Sequence, residues 1–119
     1  NYYNFEMNAA GYLHSAIGPD IKTRTLQAQL KLDRVKRFTT FGKGMREQND
    51  KSFSWDAGML IPFDLMGIDK DNLPDEIKCN LYKCADKSAH PHYISWSPVG
   101  TPKPNFHSPS YFGTMKFEK

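Results

Sequence analysis

Residues 80–98 read NLYKCADKSAHPHYISWSP, and this stretch decides the fold. It reads as two β-strands joined by a short polar loop. The first strand, Ile77 to Ala85, alternates. Ile77, Cys79, Leu81 and Ala85 fall on one face, and Lys78, Asn80, Tyr82 and Asp86 on the other. Successive side chains of a pleated strand point to opposite faces, so alternation of this kind predicts a half-buried strand. The second strand, His92 to Ser97, is rich in β-formers and stops at Pro98, which has no backbone N–H to give to a sheet. The pair carries Tyr82, Tyr93 and Trp96, with histidines beside them. If the protein binds a small ligand, these strands and the loop after them are where it is expected.

Working outward, the same signals recur. In the N-terminal run, Tyr3, Phe5 and Met7 alternate with Tyr2, Asn4 and Glu6, which predicts a strand over Tyr2 to Asn8. A second is expected over Ala9 to Ile17, after a turn near Gly11, and Gly18-Pro19-Asp20 is a turn signal. Leu26 to Phe41 fits both helix and strand spacing. Its β-prone Val35, Phe38, Thr39, Thr40 and Phe41 favour a strand over Lys31 to Phe41. Gly42 to Ser52 reads as a polar loop. Trp55, Ala57, Met59 and Ile61 share a strand face that Pro62 ends, and Phe63 to Gly67 reads as a helical turn closed by glycine. Ile68 to Glu76 is loop-like, and Thr101 to Ser110, with three prolines, is an irregular connection. Tyr111 to Glu118 is a last strand. About seven short strands with little helix predict an all-β, antiparallel β-sandwich, and one domain over residues 1–119.

The totals narrow the function. A chain of 119 residues suits one domain that buries roughly two thirds of its unfolded surface. Net charge is +3, but Asp33 interrupts the densest basic group, Lys31, Arg34, Lys36 and Arg37, so there is no stripe to suit nucleic acid. No apolar run approaches the ~20 residues of a membrane span. No leader is visible, and the start without Met is expected of a processed or trimmed product. Cys79 and Cys84 lie in one predicted strand, on opposite faces and ~16 Å apart if extended, so they are expected to be free thiols.

Catalytic motifs are lacking: there is no GxSxG, HExxH, GxxxxGK[ST] or GxGxxG. The chain is therefore not expected to be an enzyme. His90 and His92 share a face if extended, as metal ligands would, but no third ligand stands at a telling spacing. They read as surface histidines, as do His14 and His107, and no metal site is expected. Trp55 leads an apolar strand face and reads as core. Trp96 is opposite in phase to Tyr93 and close to the long loop, and core and ligand platform are both open to it. A pyranose offers an apolar face of C–H groups that stacks on Trp or Tyr. Its hydroxyls then bond polar neighbours, which confer specificity. Arg24, Asn80, Lys83, Asn105 and His107 have the right chemistry, and spacing alone does not choose among them.

The blocks YYNFEMNAAG, WDAGMLIPF, NLYKCAD, PHYISWSP and PNFHSPSYFGTMKFE together resemble a family 9-like carbohydrate-binding module. The nearest branch is that of Bacteroidetes proteins described as endoxylanase-like. The resemblance runs over almost the whole chain. It implies a non-catalytic, sugar-binding β-sandwich, secreted, periplasmic or on the cell surface, beside a polysaccharide-degrading system. Such modules grip sugar chains between aromatic side chains and can hold structural calcium, so calcium is the one cofactor the resemblance allows. Trp96 and the Asn105-Phe106-His107 loop are the expected grip, with Tyr82, Tyr93 and Arg24 beside them. The family module is longer, and its YYNFE block sits mid-module. An incomplete sandwich is therefore expected, with its partner a missing N-terminal segment or a second copy of the chain. Two rivals compete. In one the chain is a structural or interaction module of an envelope protein, its aromatics being core; a buried Trp96 favours that rival, an exposed Trp96 flanked by polar side chains favours sugar binding. In the other, Met7, Met59 and His92 hold haem.

Overall fold

A computed structural model of the chain describes residues 1–41 and 54–118. The loop expected over Gly42 to Ser52 lies outside them. The chain forms two compact units, Asn1–Asp71 and Asn72–Lys119.

In the first unit, β1 (Tyr2–Met7), β2 (Leu13–Gly18) and β3 (Thr25–Leu26) make a three-stranded antiparallel sheet in that order. Tyr2 lies opposite Gly18 and Met7 opposite Leu13. The β1–β2 turn is set by Asn8, whose Oδ1 accepts the N–H groups of Ala10 and Tyr12 at 3.1 and 2.9 Å. Gly11 supplies the positive φ of 85° that the turn requires. The unit's core is Tyr2, Ala16, Leu32, Val35 and Leu65. One hydroxyl, that of Ser15, is buried with them. It donates to the Asn4 carbonyl at 2.7 Å and accepts from Gln27 Nε2 at 2.9 Å, so burying it leaves no bond unmade.

Two expectations change here. Lys31 to Phe41 is not one strand: a short helix, α1 (Gln29–Leu32), precedes β4 (Lys36–Thr39). Leu32 and Val35 are both buried, and a helical turn puts residues three apart on one side where a strand would part them. In β5 (Ala57–Leu60), which pairs antiparallel with β4, Ala57 and Met59 are exposed; of the expected apolar face, Trp55 and Ile61 are half-buried. Trp55 meets Phe41 edge-on at 6.2 Å. The helical turn expected after Pro62 is present as a 3-10 turn, Phe63–Met66, closed by Gly67 at φ 68°.

The second unit holds β6 (Glu76–Cys79), β7 (Tyr82–Cys84), β8 (Tyr93–Ser95) and β9 (Gly113–Lys116). β6 pairs with β9 and β7 with β8, both antiparallel. The strand expected over Ile77 to Ala85 is thus two strands of two sheets, parted at Asn80. The cause is local. The Asn80 carboxamide accepts the N–H of Leu81 at 2.9 Å and of Ser97 at 2.8 Å, and donates to the Ser97 carbonyl at 2.9 Å. A side chain here takes the place of a ladder rung. Cys79 and Cys84 fall in different sheets and are free thiols, as expected. Every buried residue among those described lies in the first unit. The second is held instead by half-buried contacts around the β7–β8 hairpin.

Candidate functional site

The β7–β8 register sets Tyr82 opposite Ser95, Lys83 opposite Ile94 and Cys84 opposite Tyr93. The ladder runs on at both ends, with Trp96 N–H donating to the Leu81 carbonyl at 2.9 Å and Ala85 N–H to the His92 carbonyl at 3.0 Å. Opposed residues share a face, so the hairpin has two distinct sides. One carries Tyr82, Cys84, Tyr93 and Ser95. The other carries Leu81, Lys83, His92, Ile94 and Trp96.

The tyrosine side is covered from the 101–110 connection. Phe106 stacks on Tyr82 with ring centroids 4.2 Å apart and planes 13° off parallel, and meets Tyr93 edge-on at 6.0 Å. Those are the two favoured geometries of quadrupolar rings. One face of Tyr82 is therefore taken by packing, while Tyr93 stays exposed. Beside Phe106, Asn105 turns the loop by accepting the His107 N–H on Oδ1 at 3.1 Å. The structure thus gathers Tyr82, Tyr93, Phe106 and the Asn105 turn, and sets Trp96 on the reverse of the same hairpin.

Trp96 is 51% exposed. Its ring edge seats against Gly113 of β9: a Cβ there would stand 2.9 Å from Cζ3 and 3.2 Å from the Ser97 Cβ. Only glycine leaves that room. Ser97 Oγ donates to the Tyr111 carbonyl at 3.0 Å, and Asn80 holds Ser97 from the other side. The indole is therefore wedged on one edge while much of it faces solvent. Leu81 and Ile94, exposed on the same side, are members of this surface that sequence reasoning missed. Their alternation with polar residues was legible, but the hairpin register was needed to bring them to Trp96.

The remaining candidates fall elsewhere. Arg24 lies in the first unit, where its Nη1 bonds Asn4 Oδ1 at 3.1 Å and Glu6 Oε1 at 3.2 Å. Met7 and Met59 lie in the first unit and His92 in the second. Among the described residues, no three His, Cys, Asp or Glu side chains gather as metal ligands would. Burial pushes the Cys79 thiol above its usual range, so it stays protonated at neutral pH. No helix among the described residues is long and apolar enough to cross a membrane.

Short antiparallel strands with almost no helix define the chain as an all-β protein. The model of carbohydrate-binding family 9 matches residues 1–117, and the chain belongs to that family. Among solved structures it is similar to a candidate carbohydrate-binding protein of Bacteroides uniformis ATCC 8492, with 38% identity and a TM-score of 0.85. That match covers 98% of this chain and 54% of the other, so the chain spans about half the length of its structural relative. The fold class is the all-β, antiparallel one of carbohydrate-binding β-sandwiches. No curated protein matches the chain.

Proposed function

We propose that the chain is a non-catalytic module that binds a poly- or oligosaccharide, with the exposed side of Trp96 as the stacking platform. The observation that carries this is the state of that indole: half-exposed, yet fixed by Gly113, Ser97 and Asn80. A preorganised ring loses little freedom on binding, so more of the stacking energy appears as affinity. Family membership and the structural relative support a saccharide as the partner. Tyr93, which meets Phe106 of the 101–110 connection edge-on, offers a second aromatic edge on the reverse side. Secretion to the periplasm or cell surface, beside a polysaccharide-degrading system, belongs to the same reading, as does further protein, from a longer chain or a second copy, to complete the module.

The test is a fluorescence titration of the chain carrying Trp55→Phe, which leaves Trp96 as the one indole. Binding sugars shift its emission, and Trp96→Ala lowers affinity by about tenfold or more, measured by calorimetry. If no glycan on a broad array, and no soluble oligosaccharide at millimolar concentration, perturbs the folded protein, the proposal is wrong.

A further inference from the structure

The first unit carries a cleft of its own, of about 410 Å³, lined by Ala10, Gly11, Tyr12, Leu13, Gln29 and Arg37. That volume suits a small-molecule site. Three elements build it: the β1–β2 turn with the start of β2, the first residue of α1, and β4. The turn is fastened to β4 at two points. Arg37 Nη1 donates to the Gly11 carbonyl at 3.2 Å, and Thr39 Oγ1 to the Ala9 carbonyl at 2.7 Å. Within the turn, the Asn8 side chain holds the Tyr12 N–H, and the Asn8 N–H donates to the Tyr12 carbonyl at 3.0 Å. The backbone around the cleft is thus set before any ligand arrives, which lowers the cost of ordering it on binding.

Its side chains have the chemistry that a polyhydroxy ligand needs. Tyr12 is 71% exposed, so it adds little to any core and is open to a stacking partner. The Gly11 bond uses one N–H of Arg37, and among the described residues the rest of its donor fork is unspent. The Gln29 carboxamide donates through Nε2 to Asp33 Oδ1 at 2.9 Å, which leaves Oε1 as an acceptor with no partner among the described residues. A sugar hydroxyl both gives and takes a hydrogen bond, so a pair of adjacent hydroxyls matches a lining that offers donors and an acceptor together. An anion would use the donors alone, and the Gln29 oxygen and the Asp33 carboxylate would repel it.

We propose that this cleft is a second saccharide site, which takes a neutral pyranose with its apolar face on Tyr12 and adjacent hydroxyls on Arg37 and Gln29. The inference rests on the reading of the chain as a saccharide-binding module, but not on Trp96 as the platform.

The experiment follows the backbone amides of the full chain by two-dimensional NMR during titration with neutral gluco-, xylo-, manno- and galacto-oligosaccharides, and with sodium acetate. It is repeated on Trp96→Ala. Saturable shifts at the amides of Gly11, Tyr12, Leu13 and Gln29 are expected with at least one saccharide, in both proteins. Tyr12→Ala and Gln29→Ala, whose spectra also show that they fold, are each expected to weaken that binding about two- to tenfold and to leave any response of the β7–β8 hairpin as it was. If hairpin amides respond to a saccharide and cleft amides do not, the inference is wrong and the Trp96 platform stands. Cleft shifts that vanish in Trp96→Ala, or that survive Tyr12→Ala or Gln29→Ala undiminished, also overturn it. A cleft that responds to acetate and to no saccharide is an anion site, which overturns it too. Saccharide shifts in the cleft alone support it and remove the sugar platform from Trp96. No response anywhere overturns both readings.

Discussion

Replacing Asn80 by alanine is expected to loosen the whole second unit. The side chain makes two hydrogen bonds to the Ser97 backbone and one to Leu81, so it joins the end of β6 to the residue after Trp96. A net contribution of ~1 kcal/mol for each bond across to Ser97 gives a loss of about 2 kcal/mol, because both sites are part-buried and water replaces the lost partners incompletely. Asn80→Asp keeps the acceptor for both N–H groups but turns an oxygen toward the Ser97 carbonyl. It is expected to cost at least as much. Urea unfolding of the Trp55→Phe protein, followed by Trp96 emission, reads this unit alone. Sugar affinity falls in parallel, since the indole loses its neighbour's anchor. A loss below about 0.5 kcal/mol, or an Asn80→Asp protein as stable as its parent, refutes the reasoning.

Gly113→Ala pushes a methyl group to 2.9 Å from the Trp96 ring. A shift in Trp96 emission, a loss of about 1–3 kcal/mol and weaker sugar binding are expected; unchanged emission would show that the wedge is not there. In the first unit, the Arg34 guanidinium, bonded to Asp64 at 2.7 and 2.8 Å, holds that carboxyl below its usual range. The Thr23 and Lys22 N–H groups do the same for Asp20. Both folded values are depressed, so their contribution is complete above the ordinary carboxylate value near ~4 and is lost as pH falls through the lower folded value. The melting temperature is expected to hold from neutral pH down to about 5 and to drop below ~4, with a shallower acid limb in Asp64→Asn; identical limbs would contradict this.

Most strands were legible because alternation is local. The hairpin of residues 80–98, the N-terminal pair, the glycine-closed turn and the final strand all follow from period-two patterns and from proline and glycine. What was not legible depended on partners distant in sequence. Nothing in the alternation of Ile77 to Ala85 shows that Asn80 leaves the ladder to bond Ser97, seventeen residues on. The helical turn at Gln29–Leu32 is fixed by the joint burial of Leu32 and Val35, which spacing alone leaves ambiguous. Trp96 was visible as an aromatic out of phase with Tyr93. That phase difference, read literally, already set it on the opposite side from Tyr82 and Tyr93. Lys83 was a candidate among several, and only the register with Ile94 put it on the same side of the hairpin as Trp96.

The two-sided hairpin also bears on redesign. The Tyr82–Phe106 stack holds one side, and the exposed positions 81, 83 and 94 lie on the other. A display library randomised at those three positions would sample new ligand contacts around a fixed indole without touching the packing that keeps the strands together. Recognition and stability would then be selected almost independently, with new specificities carried on an unchanged scaffold.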